Sequence, residues 1–419
     1  MADDLGWGDV GFHGGVASTP HLDRLAEQGI ELTHHYVAPV CSPTRTGLLT
    51  GRCWSRFGVT SPTNTLAIPP PTLTLPRLLS EAGYDTCLIG KWHLGSLPKW
   101  GPNHFGFDHS YGSLAGGVSP WSHGYKKGPY RPTWHRNQSL ISESGHVTDL
   151  LTGEAVEWID ARSKKPFFLY LPYTAVHLPL REPDEWVTRV ADHVTDSVER
   201  HYLASIMHLD DAVGRIIDAL EVNELLENTI VIFTSDNGGS TAENNDLRYP
   251  DDNCPDGALP GRNLPLRGKK GEVYEGGIRV PTIVWCPSLF SKRKEDTPVQ
   301  IIDWLPTISR FAGAKIGKES RLDGVDLHDL LLQGKKIDDR LLYTVGPSWR
   351  SVALRDQRWK LVQHQRGESI VRELYDLVND PEEQHNVAVQ HPEVLNRMRL
   401  DLVDTSKSDR DSVVDLSSE

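Results

Sequence analysis

Three short apolar runs in this 419-residue chain each end in a polar cluster, and that repetition constrains the fold more than any single motif. The run at 84–89 leads into Gly90-Lys91-Trp92-His93-Leu94-Gly95, and the run at 167–171 into Pro172-Tyr173-Thr174-Ala175-Val176-His177. The third, at 230–234, leads into Ser235-Asp236-Asn237-Gly238-Gly239. Apolar runs of this length, bounded by turn residues, predict buried strands, and 282–285 predicts a fourth. Spacing predicts helices over 72–82, 147–161, 198–220 and 301–312. In the third of these Leu203, Ile206, Met207, Val213, Ile216, Ile217 and Leu220 form a core-facing stripe. Strands alternating with helices predict an α/β domain built on a mostly parallel central sheet. Open parallel sheets bind ligands beyond the carboxyl ends of their strands, so Lys91, His93, His177, Asp236 and Asn237 are predicted to share one edge.

Past about Gly313 the character changes to short strands at 351–354, 360–363 and 373–377 and a helix near 392–403. We therefore expect an α/β domain over 1–312 and a smaller C-terminal α+β unit with an antiparallel sheet over 313–419. Hydrophobic residues at 38% and charged residues at 24% exclude disorder and fibrous repeats. A net charge of −13 argues against nonspecific nucleic-acid binding, while local cations can still hold a small anion. No apolar run has the length of a membrane span.

Cys41-Ser42-Pro43-Thr44-Arg45 places a thiol at a predicted helix start, with Ser42 able to cap and Pro43 suited to the first helical position. Unpaired N–H groups and the helix dipole favour an anion there, and Arg45 adds a planar cation one turn on. Asp3-Asp4 and Asp236-Asn237 offer hard oxygen ligands that suit Ca²⁺ or Mg²⁺. Each also has a plain reading, as a solvated terminus and a tight turn respectively. Arg267-Gly268-Lys269-Lys270-Gly271 reads either as an anion-holding loop or as an exposed basic one. Trp121, His123, Tyr125, Tyr130 and Trp134, in the loop 113–134, either line a sugar subsite with His123 or Trp121 on the ring, or pack between loops.

Cys41-x-Pro43-x-Arg45 followed by Leu49-Thr50-Gly51-Arg52 resembles the signature of the type I, formylglycine-dependent sulfatases. The blocks at 2–11, 90–95, 175–180, 235–239, 265–277 and 374–386 are similar to that family in the same order. Pro265-Leu266-Arg267-Gly268 and Gly106-Phe107-Asp108 look most like its arylsulfatase B (N-acetylgalactosamine-4-sulfatase) group.

The resemblance implies an alkaline-phosphatase-like fold and hydrolysis of a sulfated carbohydrate or aryl sulfate. It implies that a maturation enzyme oxidises Cys41 to formylglycine, and that one Ca²⁺ is held by Asp3, Asp4, Asp236, Asn237 and the modified residue. Arg45, Lys91 and His93 would orient the nucleophile. His177 and Lys270 would bind the ester oxygen, with His177 protonating the leaving alcohol.

Family members carry a hydrophobic strand just before the acidic pair, whereas here Met1 stands two residues before Asp3. The expectation is an upstream start with a signal peptide and a secreted, periplasmic or lysosomal location; for the chain as written it is weak metal affinity. Two other readings are a phosphatase, phosphodiesterase or phosphonate hydrolase of the alkaline phosphatase superfamily, and a catalytically decayed glycan-binding relative. The first of these usually needs two metals and a Ser or Thr nucleophile.

Overall fold

The computed structural model describes residues 1–162 and 165–413. A five-stranded sheet has the order Ser139–Leu140, Trp134–Arg136, His109–Ser113, Asp85–Lys91, Phe167–Tyr170. A four-stranded sheet has the order Arg293–Glu295, Ile30–Leu32, Thr282–Trp285, Val231–Thr234. Residues 1–3 join the two. Ala2 N donates to Thr234 O at 2.8 Å and Asp236 N to Ala2 O at 3.1 Å, while Tyr173 N donates to Met1 O at 3.0 Å. Asp85–Lys91 runs parallel to both its neighbours, and the bridge between Ala2 and Ser235 is parallel as well. Trp134–Arg136 and Thr282–Trp285 run against their neighbours, so the sheet is parallel at its centre and mixed toward its margins. All four residues of Thr282–Trp285 are buried, as a strand covered on both faces requires.

Helices cover both faces. Ser197–Val222, capped by Asp196 accepting from Glu199 N at 2.8 Å, packs with Val147–Asp160 and Pro20–Gln28. Leu203, Ile206, Ile217 and Leu220 of the predicted stripe are buried there, while Met207, Val213 and Ile216 are partly buried at its edge. Burying such side chains contributes about 1.5–3 kcal/mol each, so Ile206→Ala would cost about 2–5 kcal/mol. On the other face Cys41–Thr50 packs with Leu75–Glu81 and Trp304–Phe311.

The predicted helix at 301–312 begins with a tight 3₁₀ turn, Ile301–Asp303, whose Asp303 carboxylate accepts from Gln300 N at 2.7 Å. The predicted helix at 72–82 is shorter, Leu75–Glu81, because Thr74 is extended before it. The predicted strand at 84–89 ends later, at Lys91, which places that lysine on the sheet rather than in the following loop.

Leu342–Val345, Ser351–Arg355, Trp359–Arg366 and Ser369–Asp376 form a separate antiparallel sheet in chain order, followed by helix Pro392–Ser406. Leu342–Val345 is one strand more than the spacing predicts. Lys360 Nζ lies 2.8 Å from both Glu275 Oε1 and Glu383 Oε1, a buried ion cluster that ties this sheet to the segment carrying Lys270. Residues 414–419 of the predicted second unit lie outside the described residues. Among the described residues no helix is long and apolar enough to cross a membrane.

Candidate active site

The polar clusters converge as their strand ends require. Asp3, Asp4, Arg45, Lys91, Asp236 and Asn237 are fully buried, and Cys41 nearly so. Asp3 N donates to Ala175 O at 2.9 Å and Leu5 N to Ser235 Oγ at 3.1 Å, so main-chain bonds fix the acidic pair. Asp4 and His93 both have left-handed backbone, φ 64° and 59°, a conformation that costs non-glycine residues about 1–3 kcal/mol and gathers at functional sites.

Helix Cys41–Thr50 starts two residues earlier than predicted. Val40 is the N-cap and Cys41 the first helical residue, so Ser42 does not cap; its hydroxyl instead accepts from Thr63 N at 3.0 Å.

Charge is arranged in interlocking pairs. Lys91 Nζ is 2.5 Å from Asp3 Oδ2, Arg45 Nη2 is 2.8 Å from Asp236 Oδ2, and Lys270 Nζ is 2.7 Å from Asp4. Arg45 Nη1 also donates to Lys91 O at 2.7 Å, and Asn237 Nδ2 to Asp4 Oδ1 at 2.8 Å. Ligand atoms of Asp3, Asp4, Cys41 and His177 lie within 4.8 Å of one another. Asp236 is turned toward Arg45 and toward Asp4 N, 3.2 Å away. The Asn237 Oδ1 atom is buried without a hydrogen-bond partner among the described residues, an orphaned acceptor beside the carboxylates. The carboxylates of Asp3, Asp4 and Asp236 and the unspent Asn237 oxygen are hard donors whose chemistry fits a divalent cation such as Ca²⁺.

Burial, reinforced by Asp236, raises the Asp3 carboxyl well above its usual range. Burial acts the same way on Asp4, but Lys270 and His177 overcome it and hold that carboxyl low. Burial and the neighbouring Asp236 push the Cys41 thiol up to about 12, so the helix N-terminus does not make it a thiolate. Burial and Lys270 bring His177 down to about 3. Its Nδ1 donates to Leu178 O, and its Nε2 faces Asp4 Oδ2 at 3.8 Å. Burial and Lys91 likewise keep His93 neutral, and its Nδ1 has no partner among the described residues.

A pocket of about 590 Å³ opens above these groups, lined at its base by Cys41, His93, His177 and Lys270. Gly116 lies on it because a Cβ there would stand 2.2 Å from His93 Nε2. Gly238 allows the Lys270 segment to close on Asp236-Asn237, since its Cβ would meet Gly276 O at 1.9 Å.

Tyr125 lines the pocket, whereas His123 and Trp121, the latter 40% exposed, are not among its lining residues. Trp121 Nε1 donates to Arg181 O at 2.9 Å, and His123 bonds Gly145 O at 3.0 Å and stacks on Trp134. Thr44 is a residue the motif reading passed over; its hydroxyl donates to Asp236 O at 2.6 Å and accepts from Ala38 N at 2.9 Å. Lys126, Arg248 and Tyr249 also line the pocket, from loops with no periodicity to mark them.

Residues 1–314 match the family described as Sulfatase, and residues 269–408 the one described as N-sulphoglucosamine sulphohydrolase, C-terminal. The chain belongs to the sulfatase family. It is 33% identical to arylsulfatase J of Mus musculus over 88% of this chain and 64% of that protein. Identity to N-acetylgalactosamine-6-sulfatase of Mus musculus is 32%, over 84% of this chain and 69% of that protein. The chain thus spans about two thirds of the length of these relatives. The crystal structure of Ps i-CgsB in complex with k-i-k-neocarrahexaose superposes with a TM-score of 0.87 at 29% identity, covering 100% of this chain and 94% of that one. The type I sulfatase resemblance and the alkaline-phosphatase-like α/β fold both hold.

Proposed function

We propose that this protein hydrolyses sulfate esters of a glycan, with residue 41 as nucleophile after oxidation of Cys41 to formylglycine and with one bound Ca²⁺. The observation that carries this reading is the convergence of buried Cys41, three buried carboxylates and the buried cations Arg45 and Lys91 beneath an open pocket that Cys41, His177 and the partly exposed Lys270 line. The names of the relatives and of the bound carrahexaose support a sulfated glycan as substrate.

A protonated, buried thiol is a poor nucleophile, and that favours a modified residue at this place. Formylglycine would supply a hydrated aldehyde as nucleophile toward sulfur, and Ca²⁺ would supply charge neutralisation for the sulfate oxygens. Asp3, Asp4, Asp236 and Asn237 would hold the cation, with residue 41 beside them.

Arg45 fixes Asp236 and the main chain at Lys91, so the helix carrying residue 41 and the strand end carrying Lys91 keep their spacing. Asp236 would take the proton from the attacking hydroxyl. Lys270 and His177, on the pocket side, would bind the ester oxygen, and His177 Nε2 is the atom through which a proton would reach the leaving alcohol. The donors for one cation and the cysteine at position 41 favour this reading over a two-metal phosphatase.

The test is mass spectrometry of the residue-41 peptide from protein produced with a formylglycine-generating enzyme, together with calcium analysis and turnover of defined sulfated saccharides. An aldehyde and one bound calcium are expected. Full turnover with an unmodified thiol, or after complete chelation, would overturn the reading.

A further inference from the structure

One wall of the pocket takes no part in the chemistry at residue 41. Tyr125 and Lys126 come from one loop and Asp246, Arg248 and Tyr249 from another, and the two loops are joined by a main-chain bond of 2.8 Å to Arg248 O. The Arg248 side chain is 68% exposed yet held in place. Its Nε and Nη2 donate to the two Asp246 oxygens at 2.8 and 2.7 Å. Lys126 Nζ reaches the same carboxylate at 3.0 Å. Two cations thus share one anion at the pocket mouth, and most of their N–H donors remain unspent. This pair of cations stands on a chain whose net charge is −13. Tyr125 and Tyr249 meet edge to face at 5.6 Å, and Lys126 Nζ lies 5.2 Å from the Tyr249 ring. The corner is apolar on its faces and cationic on its rim. Glu243 lines the same pocket as an exposed countercharge.

We infer that this wall is a second anion subsite. It takes an anionic substituent, a sulfate ester or a uronic carboxylate, on the same glycan that presents its scissile sulfate above Cys41. This rests on the functional reading above and deepens it, because the preferred substrate then carries at least two charges. A guanidinium forks onto sulfate or carboxylate oxygens, and its bracing by Asp246 removes part of the ordering cost before the ligand arrives. Because the cations are solvated, their effect is modest and falls with added salt.

The experiment measures kcat/KM on a saccharide bearing one sulfate, the same saccharide with a second sulfate, and the same saccharide joined to a uronic acid. The readout is the ratio of the doubly charged to the singly charged substrate. In the Lys126→Ala/Arg248→Ala double variant that ratio should fall about tenfold, the scale of two exposed charge contacts. In Glu243→Gln it should rise. The arm in which the wild type shows its preference tells sulfate from carboxylate. An unchanged ratio in the double variant, or no preference in the wild type, overturns the subsite while leaving the hydrolase reading intact. No turnover of any ester overturns both.

Discussion

Arg45 Nη2 lies 2.8 Å from Asp236 Oδ2, and neither side chain is exposed to solvent. A charge pair removed from water in this way is costly to break, since the survivor is left buried and unpaired. Arg45→Met should destabilise the fold by about 3–5 kcal/mol. Arg45→Lys keeps a charge but cannot span Asp236 and Lys91 O together. It should remain folded with kcat reduced at least about a hundredfold, the scale of a lost transition-state contact. Urea unfolding and steady-state kinetics on the two variants check this; wild-type turnover in Arg45→Lys would refute the positioning role.

His177 lines the pocket, with Nδ1 committed to Leu178 O. If Nε2 conveys the proton, His177→Ala should slow esters of poorly acidic alcohols by about 10²–10⁴-fold and esters of acidic phenols far less. A plot of log kcat/KM against leaving-group acidity should therefore steepen in the variant. Equal losses across the series would assign His177 to binding alone.

Much of this site was legible because strand ends are where a parallel sheet collects its chemistry. Lys91, His177 and Asp236 follow apolar runs, and the fold gathers all three around Asp3 and Asp4, with His177 lining the pocket. Asp3 and Asp4 had no such signal. Their place depends on main-chain pairing of residues 1–3 with two distant strands, which local pattern does not encode. Ser42 was misleading because Val40, though no capping residue by type, already has the extended backbone of a cap. Arg248 and Tyr249 were invisible because their loop is polar and aperiodic, so only tertiary folding gives them a role. Trp121 and His123 were legible as aromatic residues, but whether an aromatic faces sugar or protein is settled by its neighbours.

A second buried cluster, away from the pocket base, sets a pH limit on stability. His208 Nδ1 is 2.8 Å from Glu182 Oε2, and its Nε2 is 3.3 Å from Asp149 Oδ1. His146 stacks on one face of the ring and Trp186 on the other, while Arg215 pairs with Asp149 at 3.4 Å. Burial alone would lower the pKa, but the two carboxylates raise it to about 9. The folded value exceeds the unfolded one, about 6.5, so the stabilisation is complete below pH about 6.5 and is lost as pH rises toward 9. Its size is on the order of 2–3 kcal/mol. Unfolding free energies from pH 6 to 9.5 should fall in the wild type and stay flatter in His208→Gln. Parallel profiles would sink the assignment.

Gly116 supplies the most local test of the pocket's geometry. Its missing side chain leaves the room that His93 Nε2 occupies, since a Cβ would stand only 2.2 Å away. His93 already carries a left-handed backbone, so it has little freedom to retreat by shifting its main chain. Gly116→Ala should therefore rotate the imidazole out of place. Because the change adds one methyl at a pocket lining, the loss of stability should stay within about 1–3 kcal/mol. Activity should fall more steeply, on the order of a hundredfold, because a displacement of about 1 Å at a positioning group costs that much. Gly116→Ala combined with His93→Ala should be no worse than His93→Ala alone, since the clash and its target then vanish together. Additive losses in that double-mutant cycle would mean that Gly116 acts on the pocket by some route other than His93.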